Sequence, residues 1–548
     1  MKINVVRLSY SEKIPPTGYW DHGLIDDLLN NKLYQTDYEF EHHISQGSFP
    51  KIDSRGVVIV MPARAQSQYI DRLNKDILKF DWVIILFTGD EENVFPYDEV
   101  EHPNCKIWVM SPRKGMEFNK LGTGYPHQIH DYDKELPNKD IDWFFSGQIT
   151  HKQRIKCANQ LRLMSGGVLN ETDGFTKGFL HNEYYKNLSS AKVAPAPSGP
   201  ETPDTFRVFE ALEMAAVPIV DEKDGDFKDY WNFFFDTEVP FPVLRKYEQL
   251  PGYINDTVKK YPMINNRVFA WWMRYKRRMS NVFNKQLNDM AGLDENNTVD
   301  HNTTVLVPVS AIKSHPDISI LDETIKSIRH HLPTAEIIIT FDGIRKEQEN
   351  KRSDYEEFIR RILWKCDKEY RNVLPLIFES HTHQVGMARE ALKYVRTPLI
   401  LYVEQDTPLV TDEEIEWDSI IHDLLLSYTN MIRFHFEAVI PEPHKHMIHG
   451  FDDKTKTRLI KTSQWSQRPH ISSTAFYKRI LRDHFSEDAK SFIEDKMHSV
   501  LDCAYNDDGL MGWEQFKVHI YAPDGNYKRS YHTDGRDGEE KYDNTQIL

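Results

Sequence analysis

The stretch "GVVIVMPAR", Gly56 to Arg64, with "YIDRLNKDILKF", Tyr69 to Phe80, and "DWVIILFTGD", Asp81 to Asp90, decides the fold class. Two apolar runs of strand length enclose a segment whose apolar residues recur at helical spacing, and "NCKIWVMSP" from Asn104 supplies a third run. Strands and helices taking turns predict a parallel sheet covered by helices, an α/β fold. A second series follows in "DIDWFFSGQ", "KQRIKCANQLRLM", "AKVAPAPS", "TFRVFEALEMAA" and "VPIVDEKD". Then "LNDMAGLDENNTVDHNT", Leu287 to Thr303, is polar and without periodicity, as an exposed linker reads. Beyond it "TVLVPVSA", "DETIKSIRHHL", "AEIIITFDG", "VLPLIFESH", "GMAREALKYV" and "PLILYVEQD" form a third α/β series. The expected domains are therefore 1–140, 141–286, a linker over 287–303, and 304–548.

A chain of 548 residues needs several hydrophobic cores, and 40% hydrophobic with 28% charged residues describes folded protein. The net charge of -16 opposes a surface that wraps nucleic acid throughout, although a local basic patch stays possible. Cys105, Cys157, Cys366 and Cys503 are far apart and form no CxxC pair, which fits a reducing compartment. The start lacks the apolar core of a signal peptide, and nowhere do about 18 apolar residues run together. The expectation is a cytoplasmic protein with no membrane span.

In open α/β sheets ligands sit beyond the carboxyl ends of the strands. In the third series those positions are Pro308, Asp342 and the pair Glu404 and Asp406 in "LYVEQDTPLV". One carboxylate there can accept from a base or ribose, and a pair can hold a divalent cation that bridges phosphates. The order "VLVPVS…LDETIKSI…EIIITFDG…GMAREALKYVRTPLILYVEQD" resembles the nucleotide-sugar half of GT-A glycosyltransferases of the family-2 type over most of residues 304 to 410. That resemblance implies Asp342 as a nucleoside contact, Arg389 as a donor contact, and Glu404 and Asp406 as ligands of Mn2+ or Mg2+, with Glu404 standing where Asp is usual. It also implies a metal ligand from a C-terminal loop, for which His532 in "SYHTDGRDG", beside Asp534 and Arg536, is the candidate. Inverting transfer needs a base for the acceptor hydroxyl. "SFIEDKMHS" offers Glu494, with Asp495 in reserve, and Trp465 and His470 upstream are expected to line the acceptor pocket. His435, His444, His446 and His449 are close in sequence but lack the HExxH spacing of a zinc helix.

In the second series, "PSGPETPDTFRVFEALEMAAVPIV" places Asp204 or Thr205 as the cap of a helix from Phe206, with Arg207 in its first turn and Glu210 one turn on. A helix start with an arginine suits a diphosphate, and the glutamate suits ribose hydroxyls. Pro197, Gly199, Arg207, Glu210, Ala211 and Pro218 match the pattern of the exostosin family of GT-B glycosyltransferases, which the segment resembles. Ala215 and Ala216 replace that family's usual Gly and Cys. "FFSGQITHKQR" resembles the same family's upstream strand and basic helix, which implies donor-phosphate roles for Gly147 and Arg154.

Together the resemblances imply an N-terminal GT-B-like pair of Rossmann-type units and a C-terminal GT-A nucleotide-sugar domain. The expected function is glycosyl transfer from a nucleotide-sugar donor, a UDP-sugar first, at one or two donor sites. The expected acceptor is a cytosolic saccharide or lipid-linked glycan. One alternative is DNA carrying hydroxymethylated pyrimidines, as modified by phage-type sugar transferases; another is a non-catalytic glycan-binding protein. "RVFAWWMRYKRRMSNVFNK", Arg267 to Lys285, interleaves Arg274, Lys276, Arg277 and Arg278 with Trp271, Trp272 and Tyr275. Such a stretch either grips a nucleic-acid backbone while stacking on bases, or is a closing helix with its aromatics packed inward, the commoner arrangement.

Overall fold

The structure is a computed structural model that describes residues 2–17, 22–29, 39–132, 136–174, 177–292 and 302–533. The chain divides into two compact units, Met1–Asp294 and Glu295–Leu548. It is a mixed α/β protein in which the described residues form three sheets.

The first unit holds two parallel sheets. One has the order β2-β1-β3-β4-β5-β6, with β1 at Lys2–Ser9, β2 at Glu39–Gln46, β3 at Gly56–Pro62, β4 at Trp82–Thr88, β5 at Cys105–Met110 and β6 at Asn119–Leu121. Every residue of β3 and β4 is buried, as expected for central parallel strands covered on both faces. Burial of each Val, Ile or Leu there stabilises the fold by about 1.5–3 kcal/mol. The edge strand β2 is instead largely exposed. The other sheet has the order β11-β10-β9-β7-β8, with β7 at Ile141–Gln148, β8 at Gly167–Thr172, β9 at Ala191–Pro195, β10 at Val217–Asp221 and β11 at Val243–Leu244.

Buried polar groups join the two halves of this unit. Asp204 accepts from Ser111 Oγ at 3.0 Å and Thr123 Oγ1 at 2.8 Å on the first half, and from Tyr230 Oη at 2.9 Å on the second. The helix Met263–Ala291 spans both halves. Its Trp272 Nε1 and Lys276 Nζ donate to Glu213 at 2.7 and 2.8 Å, and its Gln286 accepts from Trp108 Nε1 at 3.0 Å. This helix decides the reading of the basic-aromatic stretch. Trp271, Trp272 and Tyr275 are 8%, 0% and 8% exposed, so none can stack on a base, and Lys276 is buried against Glu213. The nucleic-acid reading thereby loses the feature that suggested it. The helix also runs through Ala291, five residues into the expected linker, before Gly292 ends it in the left-handed conformation (φ 64°).

The second unit has one mixed sheet with the order β14-β13-β12-β15-β19-β16-β20-β18-β17. Its strands are β12 at Thr303–Val309, β13 at Glu336–Phe341, β14 at Val373–Ile377, β15 at Leu399–Tyr402, β16 at Met431–Arg433, β17 at Ile448–Phe451, β18 at Leu459–Thr462, β19 at His470–Ser473 and β20 at Val518–Tyr521. β14, β13, β12 and β15 are parallel; β19 then pairs antiparallel with both β15 and β16. One core cluster joins Leu306, Ile338 and Ile400 of the parallel strands to Met431 and Val518 of the far half, so the two parts fold as one body. No helix among the described residues is long and apolar enough to cross a membrane.

Candidate functional site

In the second unit the carboxyl ends of β12, β13 and β15 open into a cavity of about 600 Å³ lined by Pro308, Asp342, Glu404, Gln405 and Asp406. Asp342 is 4% exposed, and its carboxylate accepts from the backbone N–H of Gly343, Thr382 and His383 at 2.8, 2.7 and 3.1 Å and pairs with His381 Nδ1 at 2.8 Å. It therefore builds the loop that carries His381 and His383. His383 sits at φ 63°, a conformation held by this bond, and its ring meets Phe492 edge-on at 4.6 Å. Lys313, Arg345 and Lys351 supply positive charge to the same cavity.

Glu404 and Asp406 leave β15 on a turn closed by Thr407 N to Glu404 O at 3.2 Å. Gln384 bridges two elements here: its Nε2 donates to Glu404 Oε1 at 2.7 Å and its Oε1 accepts from Ile493 N at 2.8 Å. That places the start of the helix Ile493–Asp508, with Glu494, beside Glu404. Burial first, then the charges of Asp406 and Glu494, pushes the Glu404 carboxyl up to about 8, against the pull of Arg468 and Gln384. Asp406 O accepts from Thr533 N at 2.8 Å, which fixes the preceding residue so that His532 Nε2 lies 3.5 Å from Asp406 Oδ2. Asp342, Glu404, Asp406, Glu494 and His532 are thus brought to one end of the sheet. Asp534 and Arg536 lie outside the described residues.

Four other expected residues are placed elsewhere. Arg389 donates from Nη1 to Ser486 O and Glu487 O at 2.5 and 2.9 Å, and from Nη2 to Leu481 O and Phe485 O, each at 2.7 Å. Its guanidinium caps the end of the helix Thr474–His484, where carbonyls lack partners. It is a clamp and not a donor contact. Arg389→Ala is expected to destabilise this unit by about 1–3 kcal/mol, read as a lower Tm, with nucleotide affinity unchanged; an unchanged Tm with weaker nucleotide binding would return Arg389 to the site. Trp465 and His470 are both 0% exposed. The His470 ring stacks on Tyr402 at 5.1 Å and on Tyr477 at 5.6 Å, and burial holds it down to about 4. They form the layer beneath Glu404 and cannot line an acceptor pocket. Asp495 is exposed on the helix one position past Glu494. Among the residues missed in sequence is Arg468, whose charge bears on Glu404, Asp406, Glu494 and Glu437. It stands in an irregular loop, where periodicity gives no signal.

The first unit carries a second constellation, at the carboxyl ends of β7, β9 and β10. Arg207 is 8% exposed and donates from Nε and Nη2 to Ser146 O at 3.1 and 3.0 Å. Gly147 gives it room: a Cβ there would stand 2.1 Å from Arg207 Nη2. Gly147 thus seats the arginine and is not itself shown to face a phosphate. Arg154 donates to Gln148 O at 3.3 Å; burial, with Arg207 beside it, brings it down to about 10. Arg154 Nε, Arg207 Nη1 and Thr205 Oγ1 are buried with no hydrogen-bond partner. The helix Phe206–Glu213 starts as expected, but no side chain caps it, because Asp204 is turned into the network that joins the two halves. Glu210 also departs from its expected role. At 1% exposure it accepts from Tyr184 Oη at 2.8 Å and Tyr185 Oη at 2.9 Å, and burial pushes it up to about 7. Two phenols hold the carboxylate that was expected at a ribose.

As to metal ligands, Asp27, His130 and Glu213 converge within 4.8 Å of one another among the described residues. Lys276 and Trp272 already occupy Glu213, and Tyr125 Oη donates to Asp27 at 2.7 Å. Glu404, Asp406 and His532 do not form such a three-residue group, although His532 Nε2 lies 3.5 Å from Asp406 Oδ2; two carboxylates suit Mn2+ or Mg2+, and an added imidazole favours Mn2+.

No protein-family model matches the chain, and no curated protein matches it. Among solved structures, residues 1–349 of S. aureus TarS align at 12% identity and TM-score 0.26, covering 42% of this chain and 60% of that one. The same TarS segment in complex with UDP-GlcNAc aligns at 12% identity and TM-score 0.27, covering 45% and 61%. The mannosyltransferase PcManGT of Pyrobaculum calidifontis, in complex with GDP-Man and Mn2+, aligns at 11% identity and TM-score 0.26, covering 41% and 58%. The chain spans about 60% of the length of the first of these. At such scores the likenesses carry no argument about the site.

Proposed function

We propose that the protein is a nucleotide-sugar glycosyltransferase whose second unit binds the donor in the cavity between Asp342 and Asp406. The observation that carries this reading is the crowding of Glu404, Asp406 and Glu494 at the carboxyl ends of the parallel strands of the mixed sheet, with His532 against Asp406. Carboxylates that raise one another's affinity for a proton gain by sharing a divalent cation instead. Mn2+ or Mg2+ held by Glu404, Asp406 and His532 would supply charge to stabilise a departing diphosphate. Lys313, Arg345 and Lys351 stand where they can meet the phosphates and ribose, and Phe492 and His383 offer ring surfaces to the base.

In the reaction, the bond from the anomeric carbon to the diphosphate oxygen breaks as the acceptor oxygen bonds to that carbon. Glu494 takes the acceptor's hydroxyl proton, and Gln467 N orients it by donating to Oε2 at 2.9 Å. Arg468 balances the charge that collects on these acids. In the first unit Arg154 and Arg207 form a second seat for a nucleoside diphosphate, supported by their buried N–H groups without partners. Tyr184, Tyr185 and Glu210 support the helix that carries Arg207. We take the donor to be a UDP-sugar and the acceptor to be a saccharide or lipid-linked glycan, because the aromatic residues that would have stacked on DNA bases are buried. A screen of sugar nucleotides for manganese-stimulated nucleotide release tests the reading, and release from none of them would reject it.

The Glu404 carboxyl gives a pH signature. Folded, it keeps its proton up to about pH 8; unfolded, it releases it near its ordinary 4.5. Between those values the folded chain binds more protons, so stability should fall as pH rises through the window. A cation must displace that proton, so Mn2+ affinity should rise over the same range. The expected result is a Tm of the second unit that declines toward pH 8 without Mn2+ and recovers with it; a Glu404→Gln chain should show neither effect.

A further inference from the structure

Beside Arg154 and Arg207 lies His151, which the reading above leaves unused. It stands just before the helix Lys152–Leu161 in an extended conformation and makes no capping bond to it. Both of its ring nitrogens are buried without a hydrogen-bond partner. The charges that bear on the ring come from several elements: Arg154 on the helix Lys152–Leu161, Arg207 at the start of the helix Phe206–Glu213, Lys223 in the turn after β10, and Asp221 at the end of β10. The Asp221 carboxylate is occupied, accepting from Ser198 N at 2.8 Å, Lys223 N at 2.7 Å and the Tyr247 hydroxyl. Three cations therefore bear on an imidazole whose two nitrogens have no hydrogen-bond partner, and Arg207 Nη1 and Arg154 Nε are likewise buried without one, while Lys223 Nζ donates to Pro200 O at 2.6 Å and Glu201 O at 3.1 Å.

We propose that His151 is a third ligand of the diphosphate seated by Arg154 and Arg207, donating a ring N–H to a phosphoryl oxygen, and that binding there takes up a proton from solvent onto the ring. The proposal rests on the reading of this unit as a donor site. In the free chain burial first, then Arg154, Lys223 and Arg207, holds His151 down to about 4, so the ring is neutral at pH 7. A diphosphate brings negative charge among those cations and reverses the field on the ring, which then holds a proton at higher pH and offers two donors instead of one. Affinity should strengthen as pH falls from the value of the bound ring toward that of the free one, about 4.

The test is calorimetric titration of UDP into the full chain, in EDTA so that the metal-dependent cavity stays silent. Two buffers of different ionisation enthalpy report the protons taken up. His151→Gln should weaken UDP about tenfold, the loss of one charge-assisted bond, and should take up fewer protons on binding than the parent chain. Wild-type affinity and proton uptake in His151→Gln, with binding lost in Arg207→Ala, overturn the role of His151 and leave the donor reading standing. Weaker binding with unchanged proton uptake overturns the coupling. UDP affinity unchanged in Arg207→Ala overturns the donor reading itself, and His151 with it.

Discussion

Asp406→Asn should cost manganese-stimulated nucleotide release at least about a hundredfold, because removing a ligand charge from a divalent cation forfeits several kcal/mol of charge stabilisation. The substitution keeps the size of the side chain but removes its charge and exchanges one acceptor oxygen for an amide donor. The bonds from Thr533 N and Oγ1 are spared, since they reach the backbone carbonyl of Asp406, and the pairing of its carboxylate with His532 is weakened. Tm should therefore move little while activity falls. Glu404 is the informative partner: Glu404→Asp should retain more activity than Glu404→Ala, since the shorter acid still presents an oxygen. Full manganese-stimulated release in Asp406→Asn, with release abolished in Arg207→Ala, would move the chemistry to the first unit.

Arg207→Ala should weaken metal-independent UDP binding by about 30-fold or more, the usual cost of truncating one partner of a buried charged pair at 2–5 kcal/mol. Part of the loss is structural, because Arg207 also donates twice to Ser146 O and packs over the rings of Phe145 and Phe206. Two controls separate the effects. Arg207→Lys keeps the charge and loses the planar fork, so it should bind at an intermediate level. Glu210→Gln should lower the stability of the first unit by disturbing the bonds from Tyr184 and Tyr185, while UDP affinity changes little. Equal losses of affinity in Arg207→Ala and Glu210→Gln would mean that Glu210 does reach the ribose.

What the sequence made legible follows from burial. β3, β4, β12, β13 and β15 stand out because strands covered on both faces must be apolar throughout, and their carboxyl ends led to Asp342, Glu404 and Asp406. The edge strand β2 left no trace, since "EFEHHISQ" is a polar edge. The far half of the second sheet was equally silent: β16 to β20 are three or four residues long, too short for periodicity to register. Site residues were misread where a side chain serves the fold through partners distant in sequence. Arg389 binds carbonyls about a hundred positions away, Asp204 binds across the two halves of its unit, and His470 stacks on Tyr402 of β15 with Trp465 edge-on against it. Such partnerships exist only in three dimensions. His151 and Arg468 were missed for the related reason that each stands outside the regular pattern, just before a helix or in a loop.

The most direct test of the central claim is calorimetric titration of the full chain with UDP, GDP, ADP and CDP in turn, each with Mn2+ and with EDTA. One nucleoside diphosphate should bind in a manganese-dependent event that is lost in Asp406→Asn and kept in Arg207→Ala. Binding of none of the four, or manganese-dependent binding that survives Asp406→Asn unchanged, would contradict that claim.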